Sequence, residues 1–139
     1  MIIFSLLLSA TASASSFLAG EGHDRDRVVD CLDAEVSRQL PSSVGTVFRS
    51  DPLESINSSD RSVIDFHFYT RLSSGTQRGW YLKLKLSSGI WRYMVNSTDG
   101  TVSEYSSSNT LPTAAFVDED SGAQAADIDV TDCSKLWTN

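Results

Sequence analysis

Trp80-Tyr81-Leu82-Lys83-Leu84-Lys85-Leu86-Ser87-Ser88-Gly89-Ile90-Trp91-Arg92-Tyr93-Met94-Val95 decides the fold class. Its first seven residues alternate large apolar with polar side chains, the period of a half-buried strand. Ser88-Gly89 is a two-residue turn signal. A hairpin closed there pairs Leu86 with Trp91, Leu84 with Tyr93 and Leu82 with Val95, making one face wholly apolar. Lys83, Lys85 and Arg92 then collect on the other face. A slip of one residue would mix the faces, so this register is the expectation.

Upstream, Ser62–Leu72 alternates over a longer run. Ile64, Phe66, Phe68, Thr70 and Leu72 point one way, and Val63, Asp65, His67, Tyr69 and Arg71 the other. Thr46-Val47-Phe48-Arg49 reads as a short strand, and Asp51-Pro52 as the cap and first residue of a helical turn. From Asp24 the period changes: Val28, Leu32, Val36 and Leu40 recur four apart, Asp24 can cap the first amides, and Pro41 stops the helix. Downstream, Asp99-Gly100 turns the chain into Thr101–Tyr105. Residues 106–126 read as irregular apart from the apolar stretch Ala114–Val117, and Asp127–Cys133 as a last strand with Ile128 and Val130 inward.

The expected architecture is α+β: one N-terminal helix packed on a curved antiparallel sheet of four to five strands. This element order resembles the cystatin arrangement, and a helix-plus-sheet plan of this kind also recurs in cone-shaped small-ligand folds. The likeness is one of topology. The Q-x-V-x-G loop of cystatin inhibitors has no counterpart, because Ser42-Ser43-Val44-Gly45 sets its Val and Gly at another spacing. The Pro-Trp hairpin is missing too, so the resemblance implies no protease inhibition.

Ile2–Leu8 is an apolar run followed by small residues ending in Ala12-Ser13-Ala14, the pattern of a cleaved signal peptide. The organisation expected is a signal peptide at 1–14, a flexible leader at 15–23 and a single α+β domain at 24–139, placing the protein outside the cell. Cys31 and Cys133 are then expected to form one disulfide. Asn57-Ser58-Ser59 and Asn96-Ser97-Thr98 are N-glycosylation sequons in polar stretches. No apolar run reaches the ~20 residues of a membrane-spanning helix.

The formal charge of −7 argues against nucleic acid as a partner. Yet charge is unevenly spread: residues 61–92 hold six basic residues and one acid, whereas residues 93–134 hold eight acids and no base. In the hairpin register, Lys83, Lys85 and Arg92 share a face with Tyr81, extended by His67, Tyr69 and Arg71 from the neighbouring strand. This is the candidate binding face, suited to carboxylate or sulfate groups from an acidic partner or from the chain's own segment 118–132.

Asp65, His67 and Tyr69 are the nearest approach to a catalytic set, but residues two apart on a strand are ~6.5–7 Å apart, which argues against hydrogen bonds between them. No catalytic residue, metal ligand or cofactor is assigned. Asp118-Glu119-Asp120 lacks the spacing of a calcium loop and reads as solvated acid. The expected function is a secreted, single-disulfide, non-enzymatic binding module for an extracellular protein or an acidic glycan. The alternatives are a small-ligand carrier or enzyme with a pocket between helix and sheet, and a structural subunit of an extracellular assembly. The oligomeric state stays open.

Overall fold

The computed structural model describes residues 22–96, 100–105 and 110–134, with 22–26, 52–53, 92–96 and 100–105 described as backbone alone. The signal-like segment and most of the leader therefore lie outside the described residues. Helix α1 spans Gly22–Gln39, two residues ahead of the expected start, and is followed by β1 (Thr46–Ile56), β2 (Val63–Arg71), β3 (Gln77–Lys85), β4 (Trp91–Asn96), β5 (Gly100–Tyr105), β6 (Thr113–Asp118), β7 (Gln124–Asp129) and the turn-length helix α2 (Thr131–Ser134). The class is α+β. Five strands form one antiparallel sheet in the order β1-β2-β3-β6-β7, and β4 and β5 form a separate two-stranded sheet.

Periodicity decides which faces are buried. Val28, Leu32 and Val36 on α1 meet Ile64, Phe66 and Phe68 of β2, Trp80, Leu82 and Leu84 of β3, and Ala114 and Phe116 of β6 in one core. The ring of Phe116 lies 5.3 Å from that of Trp80 and 5.9 Å from that of Phe68. Thr70 is the polar exception on the inner face of β2. Its hydroxyl donates to the Val44 carbonyl and accepts from the Trp80 indole N–H, both at 2.9 Å, so its burial leaves nothing unsatisfied. Gly45 makes the approach of that loop possible: its φ is 110°, and a Cβ there would meet the Arg71 carbonyl oxygen at 2.9 Å.

The expected β3–β4 hairpin does not form. β3 pairs with β6 instead, Leu82 opposite Phe116 and Lys83 opposite Ala115, while β4 pairs with β5. Two segments could pair with the free edge of β3, and local alternation favoured only β4. The stretch first read as an apolar interlude in irregular chain supplies Ala114 and Phe116 to the inner face, and its return past Leu86 is fixed by the Leu111 amide donating to the Lys85 carbonyl at 2.7 Å. The Trp91 side chain is still fully buried, its indole N–H donating to the Leu84 carbonyl at 3.3 Å. The sequence therefore predicts the burial of Trp91 but not its partner, which is Tyr105 of β5.

Two further expectations are corrected. Asp51-Pro52 is not a helical turn: β1 runs through it, with register irregularities between Val47 and Arg49 and between Asp51 and Glu54. Proline is tolerated there because β1 is an edge strand. The last strand stops at Asp129, and Cys133 lies on α2. Asp129 accepts from the Thr131 amide at 2.9 Å, which starts the turn, while Ile128 and Val130 face inward as expected.

The bridge itself is present. Cys31 of α1 joins Cys133 of α2, with Cα atoms 5.8 Å apart across a sequence separation of 102. Beside it, Gln39 holds the edge of β7. Its side-chain amide donates to the Asp129 carbonyl at 2.9 Å and accepts from the Asp129 N–H at 2.7 Å, imitating a neighbouring strand.

Candidate functional site

The sheet face turned away from α1 carries the expected residues. β2 and β3 pair so that Asp65 stands opposite Lys83, His67 opposite Tyr81 and Tyr69 opposite Gly79. Antiparallel pairing puts directly opposed side chains within ~4.5–5.5 Å at Cβ, close enough for each pair to touch. The six residues His67, Tyr69, Arg71, Tyr81, Lys83 and Lys85 share this face. Arg92 lies on β4 with its backbone opposite Glu104, since the expected hairpin is not formed, and its side chain is outside the described residues.

At the centre, His67 stacks on Tyr81 with ring centroids 4.8 Å apart and lies 4.4 Å from the ring of Tyr69. Its Nε2 is 3.3 Å from Glu119 Oε1, and its Nδ1 is 3.2 Å from the Tyr69 hydroxyl. An ionised carboxylate can only accept, so in the neutral ring Nε2 carries the proton and Nδ1 accepts from Tyr69. The spacing argument against a bond along the strand fails here, because the long phenol leans back over its neighbour. Asp65, on the same face, does not take part; its carboxylate is bound by Lys83 and Asn57 instead.

Gly79 explains how Glu119 reaches the imidazole. A Cβ on Gly79 would lie 1.7 Å from Glu119 Oε1 and 2.4 Å from its Cδ. The missing side chain is therefore the slot through which the carboxylate crosses β3. Glycine inside a strand costs about 0.5–1 kcal/mol against alanine, so its presence there has a structural reason. Gly79→Ala is expected to leave overall stability within about 1 kcal/mol, since the clash is with the free end of a side chain. It should instead push Glu119 off His67. The NMR signal of the His67 Nε2 proton, held by the carboxylate in the parent protein, should broaden into exchange with water in the variant.

The charges on this face are mostly matched. Lys83 Nζ donates to Asp65 at 2.9 Å, and Lys85 Nζ to Asp60 at 3.0 Å and to the Ser62 hydroxyl at 2.7 Å. Asp65 also accepts from the Asn57 side-chain amide at 3.1 Å, while Asn57 Oδ1 accepts from the amides of Ser59 and Asp60. The first sequon is thus tied into its own turn, and a glycan on that amide nitrogen would compete with Asp65. Asn96 ends β4 with its backbone opposite Gly100. The acidic segment reaches the basic region only in part: Asp118 pairs with Arg78 and Glu119 with His67, whereas both lysines are neutralised from β2 and the loop before it.

Hydrogen bonds from the Ser121 amide, the Arg78 guanidinium and the Asp120 amide hold the Asp118 carboxyl down to about 2. The Ser62 hydroxyl, with Lys85, brings Asp60 to about 2 as well. Both values lie below the ~3.9 of an unfolded aspartate, so their stabilisation is present above about pH 4 and is lost as pH falls toward 2. Asp118→Asn is expected to lower stability at neutral pH and to match the parent near pH 2. Urea unfolding at a series of pH values checks this.

Sequence reading missed the contribution of β1. Phe48, 41 % exposed, and Arg49 stand on the same face beside Tyr69. The Arg49 guanidinium lies 3.9 Å above the Tyr69 ring, and that of Arg71 lies 4.4 Å above the Phe48 ring. The irregular pairing of β1 hid its facing from a simple alternation count. Among the described residues no group of His, Cys, Asp and Glu is arranged to hold a metal ion, and no helix is long and apolar enough to cross a membrane. Comparison with family models, with curated proteins and with solved structures finds no match for the chain, so the functional reading rests on the geometry of this face.

Proposed function

We propose that the protein is a secreted, non-enzymatic binding module whose contact surface is the outer face of β1, β2 and β3. Its partner is an extracellular molecule bearing anionic groups. The observation that carries this reading is a continuous row of rings across three strands, Phe48, Tyr69, His67 and Tyr81, each within 6.4 Å of the next. Cations lie over this row: Arg71 over Phe48, Arg49 over Tyr69 and Lys83 over Tyr81. Strands hold such side chains in fixed relative positions, which lowers the entropy lost on binding.

The other side of the sheet supports a surface rather than a pocket as the site. Leu32, Val36, Phe66, Phe68, Leu82 and Phe116 are at most 1 % exposed and fill the layer between α1 and the strands. The cystatin-like element order adds no activity to this reading. The signal-like leader and the single disulfide support an oxidising, extracellular setting.

Chromatography on a polyanionic resin at low ionic strength tests the proposal. A protein of net charge −7 is retained there only if its cations are concentrated on one face. Retention of the parent, and its loss in Arg49→Glu/Arg71→Glu with an unchanged melting temperature, is the expected result. Lys83→Glu/Lys85→Glu should behave differently. Each new carboxylate would face Asp65 or Asp60, so this variant should be destabilised by a fraction of a kcal/mol to about 1 kcal/mol per site, and added salt should reduce the loss. Flow-through of the parent protein refutes the proposal.

A further inference from the structure

Arg71, Phe48, Tyr69 and Arg49 form a stack on the exposed edge of the sheet, two mutually tilted rings each capped by a guanidinium. The Arg71 guanidinium sits 4.4 Å above Phe48, Phe48 and Tyr69 are 6.4 Å apart, and the Arg49 guanidinium sits 3.9 Å above Tyr69. Resting on the outer face being the binding surface, we propose that this stack is the specificity subsite for an acidic glycan: the guanidinium edges take the sulfate or uronate oxygens, and the Phe48 ring takes a face of the sugar.

Three features support this. The first is charge. Lys83, Lys85 and Arg78 each have a carboxylate partner, whereas among the described residues no carboxylate lies within ion-pair distance of Arg49 or Arg71. Both guanidiniums are therefore left unmatched by any described carboxylate and are open to an anion on a partner. The second is geometry. Each guanidinium is seated over a ring face by its central carbon, and the fork of N–H groups around that carbon can meet a carboxylate or a sulfate edge through two parallel hydrogen bonds. Stacking also holds the two long side chains in place before the ligand arrives.

The third feature separates a glycan from an acidic peptide. Phe48 is 41 % exposed in the middle of a charged surface, between Arg71 and Tyr69. A polyglutamate chain offers carboxylates on flexible stems and little for that ring to cover. A pyranose offers a rigid face of C–H bonds with the oxyanion on the same ring or its neighbour, so one sugar unit can meet the aromatic platform and a guanidinium edge together.

The test uses the intact, oxidised chain and three probes: a heparin oligosaccharide carrying sulfate and carboxylate, an oligogalacturonate carrying carboxylate alone, and polyglutamate of similar charge. The parent is expected to bind at least one glycan about tenfold more tightly than polyglutamate, with affinity falling as salt rises. Arg49→Ala/Arg71→Ala should lose about tenfold or more at an unchanged melting temperature. Arg49→Lys/Arg71→Lys, which keeps the charge and loses the planar fork, should recover only part of it. Which glycan binds tells sulfate from uronate recognition. Polyglutamate binding as tightly as the glycans overturns the subsite and leaves the outer face as the binding surface. A loss in Lys83→Ala equal to that of the arginine variant also overturns it. Failure of the parent to bind any of the three polyanions removes both the subsite and the function it rests on.

Discussion

Replacing Cys31 and Cys133 together by alanine is expected to lower unfolding stability by as much as about 4–5 kcal/mol in the chain-entropy limit for a loop near 100 residues. The 102-residue separation encloses all seven strands, so almost the whole unfolded chain gains freedom when the bridge is removed. The folded state loses less, since Cys133 is fully buried among apolar neighbours and alanine leaves only a small gap. Denaturant unfolding in oxidising buffer should show the full difference between parent and variant. With reductant the two should nearly coincide. A variant as stable as the oxidised parent would mean that α1 and α2 are held by packing alone.

Phe116→Ala is the second large effect, with an expected loss of about 3–5 kcal/mol. Phe116 is 0 % exposed in the middle of β6, opposite Leu82 on one side and Ala126 on the other, and its ring meets both Trp80 and Phe68. Truncation opens a cavity where the β2, β3 and β6 side chains converge, and the flanking strands cannot collapse without breaking register. Had Ala114–Val117 been only a short apolar stretch within an irregular connection, the same substitution would cost under about 1 kcal/mol. Thermal or urea unfolding of this one variant therefore separates the two placements.

The contrast between β2 and β6 shows what the sequence made legible. β2 alternates from Ile64 to Arg71, and that pattern predicts both its inner face, Ile64, Phe66, Phe68 and Thr70, and its partner strand. β6 offers Thr-Ala-Ala-Phe-Val-Asp, too short and too small in side chain to show a period, and its strand character comes from the edge of β3. Long-range pairing selected β6 where local pattern favoured β4. For the same reason the backbone of Arg92 pairs within the β4–β5 sheet and not alongside β3. The helix and the disulfide were legible because each depends on few residues: a four-residue apolar repeat, and two cysteines with no other partner available.

On the candidate site, the pairing of β2 with β3 put His67, Tyr69, Tyr81 and the two lysines together as alternation implied. What alternation could not supply was the partner of each charge. Lys83 and Lys85, the most conspicuous cations in the sequence, are neutralised at home by Asp65 and Asp60. Arg49 and Arg71, less conspicuous, are held by aromatic rings. Gly79 was a signal available in the sequence, an isolated glycine before Trp80 in an otherwise strong strand, and the slot it opens for Glu119 is its reason.

The outer face of β1, β2 and β3 is the surface proposed to meet an anionic partner. Titrating the isotopically labelled, oxidised chain with a heparin oligosaccharide and following amide and arginine side-chain NMR shifts tests it directly. The predicted result is a saturable set of shifts confined to Phe48, Arg49, His67, Tyr69, Arg71 and Tyr81 and their strand neighbours, with the Arg49 and Arg71 side chains moving most. Shifts centred on α1 or on β7, or no saturable shift at low salt, would contradict it.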